Sequence, residues 1–316
     1  MLAPIARVYA AIADRRLSRP GARAGAPVIC IGNPTVGGAG KTPAAIAVAS
    51  LLLDGGRHPV FLTRGYGGRL AGPLAVDPAR HDATDVGDEP LLLARTAPVI
   101  VARDRPAGAR AALALGADAI VMDDGFQNPS LHKDLSILVV DGRRGVGNGC
   151  VIPAGPLRAT LGAQLDRAQA LLVVGEDAGA CEAIAKAGAR GLAILRAGIA
   201  PRQDAVARLR GRPLLAFCGI GDPQRFAATL TAAGLDVRGA RAFPDHHRYT
   251  ASDAASLLAE AEKRGLTLVT TEKDRVRLER APELAALKDR AEVLPIRLQP
   301  DDVTALQRIV LAAGTR

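Results

Sequence analysis

The chain has 316 residues, enough for about two domains at roughly 150 residues each, and its 48% hydrophobic content excludes wholesale disorder. The net charge of +9, carried mostly by arginine, favours an anionic partner such as phosphate groups, nucleic acid or an acidic membrane surface, unless it only reflects arginine standing in for lysine throughout. Aromatics make up 3% and tryptophan is absent, which argues against base-stacking platforms and takes nucleic acid off the list of expected partners.

The first segment, "MLAPIARVYAAIADRRLSRPG", is no signal peptide: Arg7 and Asp14 break its apolar stretch and the basic residues follow that stretch. No window supplies the ~18 to 20 uninterrupted apolar residues of a membrane-spanning helix. As a helix over 1–19 it puts Leu2, Ile5, Val8, Tyr9 and Ile12 on one face, with Arg15, Arg16 and Arg19 beyond. That pattern suits a helix lying in a membrane interface and equally a surface helix docked on the core.

Beyond it, short β-branched runs alternate with Ala/Leu-rich stretches, the signature of βαβ units. Strands are expected at Pro27–Gly32, Pro59–Thr63, Val99–Val101, Ala119–Met122, Ser136–Val140, Leu171–Val174 and Leu192–Leu195. The polar, Arg-rich piece Pro201–Arg212 reads as a linker. The alternation then restarts with strands at Leu214–Cys218, Val237–Ala242 and Leu266–Thr270, and another near Val293–Ile296. Cys30, Cys150, Cys181 and Cys218 sit singly, without metal spacing, in a reduced cytosolic pattern.

"GNPTVGGAGKTP" (Gly32–Pro43) follows the first strand and opens a helix, the context that a Walker A phosphate loop requires. Thr35, Val36, Gly37, Gly38, Ala39 and Gly40 would turn backbone N–H groups toward phosphate oxygens at a helix N-terminus. Lys41 would reach the terminal phosphates and the Thr42 hydroxyl would ligate Mg²⁺. The strict pattern wants glycine where Thr35 stands. A Walker-type site also needs a carboxylate on a neighbouring strand, and "ADAIVMDDGFQN" delivers Asp123 and Asp124 to that sheet edge. One of the two can serve the metal while the other orients a phosphate-side group or a lysine. The fold class is therefore α/β: a P-loop NTPase-like domain with a mostly parallel sheet plus a second, smaller α/β domain. Its expected division is 1–205, rejoined by a C-terminal helix over 301–316, with 206–300 forming the smaller domain.

Three further clusters suit a phosphotransferase better than a switch or a motor. "LTRGYGG" ends a strand with Arg64 and Tyr66 among glycines; "GDEP" sets Asp88 and Glu89 at a helix N-terminus; "FPDHHRYT" holds His246 and His247 beside Asp245. The acids alone could be simple N-caps. A kinase needs a base near the acceptor hydroxyl, and an Asp–His pair from two domains would form it as a cleft closes and excludes water.

Together with "VARDR", "DDGFQ", "VIPAGPLR" and "TTEKDRVRL", these motifs resemble one family closely, the tetraacyldisaccharide 4'-kinases, which phosphorylate a lipid A precursor. They occur in family order and cover nearly the whole chain, and a small hydroxyl residue at the Thr35 place is in the family's character. The resemblance implies transfer of the γ-phosphoryl group of ATP, with Mg²⁺, to the 4'-hydroxyl of an acylated glucosamine disaccharide 1-phosphate. It assigns phosphate and metal binding to Lys41 and Thr42, and the metal shell to Asp123, with Glu89 as a further ligand. Asp88 with His246, taken over His247 because it directly follows Asp245, forms the catalytic dyad, Asp88 drawing the acceptor proton. Asp124, Gln127, Arg64 and Tyr66 line the site, and Arg103 or Arg105 meets phosphate; Lys273 has no assigned chemistry. An acylated substrate further implies a peripheral enzyme on the cytoplasmic face of the bacterial inner membrane, held at the anionic surface by the N-terminal helix. The rival readings are a soluble small-molecule P-loop kinase and a P-loop switch or maturation NTPase; the latter lacks an N-K-x-D element, the nearest being Glu272-Lys273-Asp274.

Overall fold

Strands buried on both faces read as unbroken apolar runs, and the central strands of this chain do so. The computed structural model describes residues 2–314, so Met1 and residues 315–316 of the expected terminal helices lie outside it. In chain order the strands are β1 (Val28–Gly32), β2 (Pro59–Thr63), β3 (Leu74–Ala75), β4 (Val99–Val101), β5 (Ala119–Asp123), β6 (Leu135–Asp141), β7 (Ala170–Val174) and β8 (Ala193–Pro201). They continue as β9 (Leu214–Cys218), β10 (Val237–Ala242), β11 (Thr267–Thr270), β12 (Glu292–Val293) and β13 (Ile296–Pro300).

Among the described residues, one sheet has the order β13-β8-β7-β6-β1-β5-β2-β4-β3, parallel except for the edge strands β13 and β3. Alternate residues of β1 feed opposite cores. Val28 and Cys30 pack with Leu62, Met122 and Leu138, while Ile29 and Ile31 pack with Phe61, Val121 and Val139. The helix Lys41–Asp54 covers the second face with Ala45, Val48 and Leu52, and the C-terminal helix Val303–Gly314 adds Leu306 and Val310 to that core. Because β1 lies between β5 and β6, its carboxyl end opens toward the carboxyl end of β5. Ligands of open parallel sheets bind at such ends.

The second sheet, β10-β9-β11-β12, is parallel throughout and has its own cores on both faces. Two expectations fail at its borders. The piece read as a linker contains the helix Gln203–Leu209, whose Ala205, Val206 and Leu209 pack against Leu214 and Ala216 while Arg202, Asp204 and Arg208 pair outside. Three apolar positions on one helical face outweigh the polar composition of the segment. The single strand expected near 293–296 is two: β12 ends the small sheet, buried Leu294 and Pro295 turn the chain, and β13 runs antiparallel to β8 in the large sheet.

The N-terminal helix Ala3–Leu17 turns its large apolar side chains outward. Ile5, Val8 and Ile12 are 59%, 62% and 64% exposed, whereas Ala6 and Leu17 are buried and Ala10 and Ala13 pack on the core. Asp14 fixes it there, accepting hydrogen bonds from the Thr160 backbone N–H at 3.0 Å and the Thr160 hydroxyl at 2.8 Å. No helix among the described residues is long and apolar enough to cross a membrane.

Candidate active site

The Gly-rich segment after β1 is strapped down by a second segment that the sequence places far away. Val36 N–H donates to the Pro156 carbonyl at 2.9 Å, Arg158 N–H to the Pro34 carbonyl at 2.8 Å, and Thr35 bridges Leu157. Asn33 Nδ2 closes the loop on the Gly37 carbonyl at 3.1 Å. Gly40, at φ 90°, hands the chain into the helix that Lys41 begins; a Cβ there would touch Ile199 at 3.3 Å. Val36, Gly37 and Gly38 are exposed and Ala39 is buried, so the loop presents its backbone outward at the start of a helix.

At this helix N-terminus Lys41 Nζ lies 3.8 Å from Asp124 Oδ2. Burial lowers the ammonium's pKa against the opposing pull of Asp124. Thr42 Oγ1 donates to Asp123 Oδ2 at 3.3 Å, and Asp123 Oδ1 is buried without a hydrogen-bond partner. Burial, with Asp124 adding to it, pushes the Asp123 carboxyl up to about 7. A buried carboxylate oxygen left unpaired beside a hydroxyl is the donor set a hard divalent cation completes. No group of three or more His, Cys, Asp or Glu residues suited to a metal exists among the described residues. A cation here would therefore rely on this carboxylate, this hydroxyl and nucleotide oxygens.

Asp88 begins the helix Asp88–Leu93 and is 4% exposed. His246 Nδ1 lies 3.1 Å from Asp88 Oδ2, although the two residues stand 158 positions apart. His247 instead meets Asp253 through Nε2 at 3.0 Å and stacks on Phe243. His246 adopts a left-handed backbone, φ 56°, with its N–H on the Gly219 carbonyl and on Asp245 Oδ1. Backbone strain of this kind at a non-glycine residue clusters at functional sites; Asp124, φ 51°, shares it.

Two cations missed in the sequence complete the pair's surroundings, both from the helix Glu272–Leu278. Arg277 donates to Asp88 Oδ2 from Nε at 3.0 Å and through a second contact from Nη2, and to Asp274 at 2.9 Å. Lys273 Nζ donates to Glu89 at 3.0 Å. Burial alone would raise the Asp88 carboxyl, but the His246 hydrogen bond, Arg277 and Lys273 together hold it well below the carboxylate range. Burial would likewise lower the Lys273 ammonium, yet Glu89, Asp88 and Asp123 raise it. Lys273 and Arg277 are one helical turn apart, so a single face meets the adjacent Asp88 and Glu89.

Several expected site residues have other partners. Glu89, expected to supplement the metal shell, is engaged by Lys273. Arg105 is 2% exposed with Nη1 on the Ala102 carbonyl, so it does not stand on the surface where a phosphate would arrive. Its position after Asp104, the N-cap of the next helix, turns it inward. Gln127 braces the loop, donating to the Asn33 carbonyl at 2.9 Å and to Gln164. Arg64 and Arg103 are exposed, and Tyr66 meets the His246 ring edge-on at 5.5 Å. Arg158, also unassigned in the sequence, ties Thr35, Asp124 and Gln127 together. Its only signal was membership of "VIPAGPLR", as that of Lys273 and Arg277 was "TTEKDRVRL".

The family model described as tetraacyldisaccharide-1-P 4'-kinase matches residues 1–314. A tetraacyldisaccharide 4'-kinase of Methylobacterium sp. (strain 4-46) is 59% identical over 318 residues, covering 100% of this chain and 93% of that protein. The protein of the same name from Nitrobacter winogradskyi is 54% identical, covering 98% and 92%. The crystal structure of LpxK from Aquifex aeolicus in complex with ATP superimposes with a TM-score of 0.78 at 25% identity, covering 99% of this chain and 98% of that one. Matched over nearly its full length by the family model and by these relatives, the chain belongs to the tetraacyldisaccharide-1-P 4'-kinase family.

Proposed function

We propose that this protein is an ATP-dependent lipid kinase of lipid A biosynthesis, transferring the γ-phosphoryl group to the 4'-hydroxyl of a tetraacyldisaccharide 1-phosphate. The observation that carries the mechanism is Lys273, whose half-buried ammonium donates to Glu89 at 3.0 Å on the acceptor side, next to Asp88, and is raised by Asp123 from the phosphate side as well. Donor and acceptor machinery therefore converge on one point, where the geometry for in-line transfer needs them.

In this reading the loop from Thr35 to Thr42 cradles the ATP phosphates, with Lys41 on the terminal groups and Asp124 orienting Lys41. Thr42 and Asp123 would hold Mg²⁺, which when bound neutralises charge on the phosphate oxygens. The Asp88–His246 pair serves the acceptor hydroxyl, and exposed Arg64, Tyr66 and Arg103 stand where the disaccharide or its phosphate would be met. The unit around the small sheet, carrying His246, Lys273 and Arg277, closes the cleft over the bound substrates. The outward apolar face of the N-terminal helix, with Arg15 and Arg16 in its last turn, supports seating at the cytoplasmic surface of the inner membrane, where an acylated substrate resides.

Phosphate transfer from radiolabelled ATP to a purified tetraacyl disaccharide 1-phosphate in mixed micelles with Mg²⁺ tests this. Labelled lipid, lost in Lys41→Ala, is the expected result. ATP hydrolysis without labelled lipid would leave the nucleotide site and remove the lipid-kinase reading in favour of a soluble P-loop kinase.

A further inference from the structure

The carbonyls at the entrance of the phosphate loop are held from behind. The Asn33 carbonyl accepts from Gln127 Nε2 at 2.9 Å, and the Thr35 carbonyl from Arg158 Nε at 3.1 Å. Between them, the Pro34 carbonyl accepts from the Arg158 N–H at 2.8 Å and from Gln164 Nε2 at 3.2 Å. Gln164 is fully buried; its Nε2 also donates to the Ala159 carbonyl at 2.9 Å, and its Oε1 accepts from Gln127 at 3.0 Å. A loop that receives phosphate must turn carbonyl oxygens away, since their negative ends repel an anion that the N–H ends attract.

The segment that supplies this bracing, 158–164, is itself anchored by the N-terminal helix. Asp14 Oδ1 accepts the Thr160 N–H at 3.0 Å and Oδ2 the Thr160 hydroxyl at 2.8 Å, across 146 positions of sequence. Thr160 Oγ1 in turn accepts from the Ala163 N–H at 3.3 Å, capping the short helix Leu161–Leu165 that carries Gln164. Ala10, Ala13 and Leu17 pack in the same core as Leu157, Ala159 and Leu161, so the carboxylate is presented from a seated helix face.

Resting on the nucleotide half of the reading above, we propose that Asp14 is a positioning residue for ATP. By fixing Thr160 it sets the segment from which Arg158 and Gln164 hold the Pro34 and Thr35 carbonyls away from bound phosphates. The N-terminal helix is thereby a structural part of the nucleotide site as well as an outward-facing apolar surface. The sign of the effect separates this role from charge. Removing a carboxylate near an anion site strengthens anion binding by Coulomb's law alone, whereas releasing the segment weakens it.

The experiment is a titration of the full chain with ATP and Mg²⁺, without lipid or vesicles. Asp14→Ala should raise the Kd about fivefold, and Thr160→Val, which keeps the backbone N–H, about twofold. Asp14→Asn, whose amide oxygen still accepts from Thr160, should return the Kd to within about twofold of wild type. In turnover, Asp14→Ala should raise the KM for ATP and keep kcat at saturating ATP. Asp118→Ala is the control for general destabilisation: it removes the same charge and the bonds from the His58 N–H at 2.8 Å and Arg57 Nε at 3.0 Å, at the amino end of β5, and should keep the wild-type Kd. An unchanged or lower Kd in Asp14→Ala, or an equal rise in Asp118→Ala, would overturn the proposal. Should Asp14→Ala fail to fold, Thr160→Val carries the test, and a wild-type Kd there overturns it. A weakened Asp14→Ala beside a wild type that labels no lipid would support this inference and remove the lipid-kinase reading; a wild type that binds no ATP would overturn both.

Discussion

Arg158 holds Asp124 in a forked pair, Nη1 at 2.8 Å from Oδ1 and Nη2 at 3.3 Å from Oδ2, while its Nε donates to the Thr35 carbonyl at 3.1 Å. One guanidinium thus fixes the phosphate loop and the acid that faces Lys41. Asp124 is 40% exposed, so solvent screens the charge pair and the loop contacts matter more. Arg158→Ala should weaken ATP binding by about tenfold, equivalent to ~1.4 kcal/mol, in a direct binding titration. An unchanged affinity would make the strap dispensable.

The unpaired Asp123 oxygen beside Thr42 predicts a metal-specific defect. Asp123→Asn should fold normally and lose about 10² or more in transfer rate, with a higher Mg²⁺ concentration needed for half-maximal rate. A rate loss with unchanged Mg²⁺ dependence would remove Asp123 from the metal shell.

Gly87 places Asp88. At φ 91°, a Cβ on it would stand 2.3 Å from the Tyr66 carbonyl oxygen, backbone that cannot retreat without moving the glycine turn before it. Gly87→Ala should cost roughly 1–3 kcal/mol in denaturant unfolding and cut transfer further by displacing Asp88. Gly37→Ala, at φ 101° with nothing within 4 Å of the new Cβ, should show strain without the clash and the smaller loss of stability.

The N-terminal helix allows membrane seating to be separated from folding. Because Ile5, Val8 and Ile12 point outward, Ile5→Gln, Val8→Gln and Ile12→Gln combined should reduce co-sedimentation with anionic vesicles without lowering the unfolding midpoint. Asp14→Ala should do the reverse, losing about 1–2 kcal/mol with its two Thr160 bonds while vesicle binding persists. Equal vesicle binding by the triple variant and the wild type would remove the helix as the membrane contact.

What the sequence made legible was local. The apolar runs located most strands, and the loop from Gly32 to Pro43 and the acids at the carboxyl end of β5 sat where strand-end chemistry requires. Pairs made by folding carried no such signal. Lys273 meets Glu89 across 184 positions and Arg277 meets Asp88 across 189, so neither stretch describes its partner. Composition misled at 201–212, where arginines on the outer face masked Ala205, Val206 and Leu209 on the inner one. The amphipathic pattern of the first helix left its docking face undecided; the alanines, too small to weigh in that pattern, supply the contact with the core.

Strand β13 pairs antiparallel with β8, Leu298 opposite Ile199 and Arg297 opposite Ala200, after an excursion that begins at Pro201 and returns at Ile296. On the ribosome, the outer edge of β8 therefore waits with its backbone unpaired while the whole small sheet is synthesised. Only the last stretch of chain seals that edge and then lays Leu306 and Val310 over the core face that the phosphate-loop helix covers. A nascent chain stopped before Ile296 would carry the intact loop sequence on a sheet with an open, aggregation-prone border.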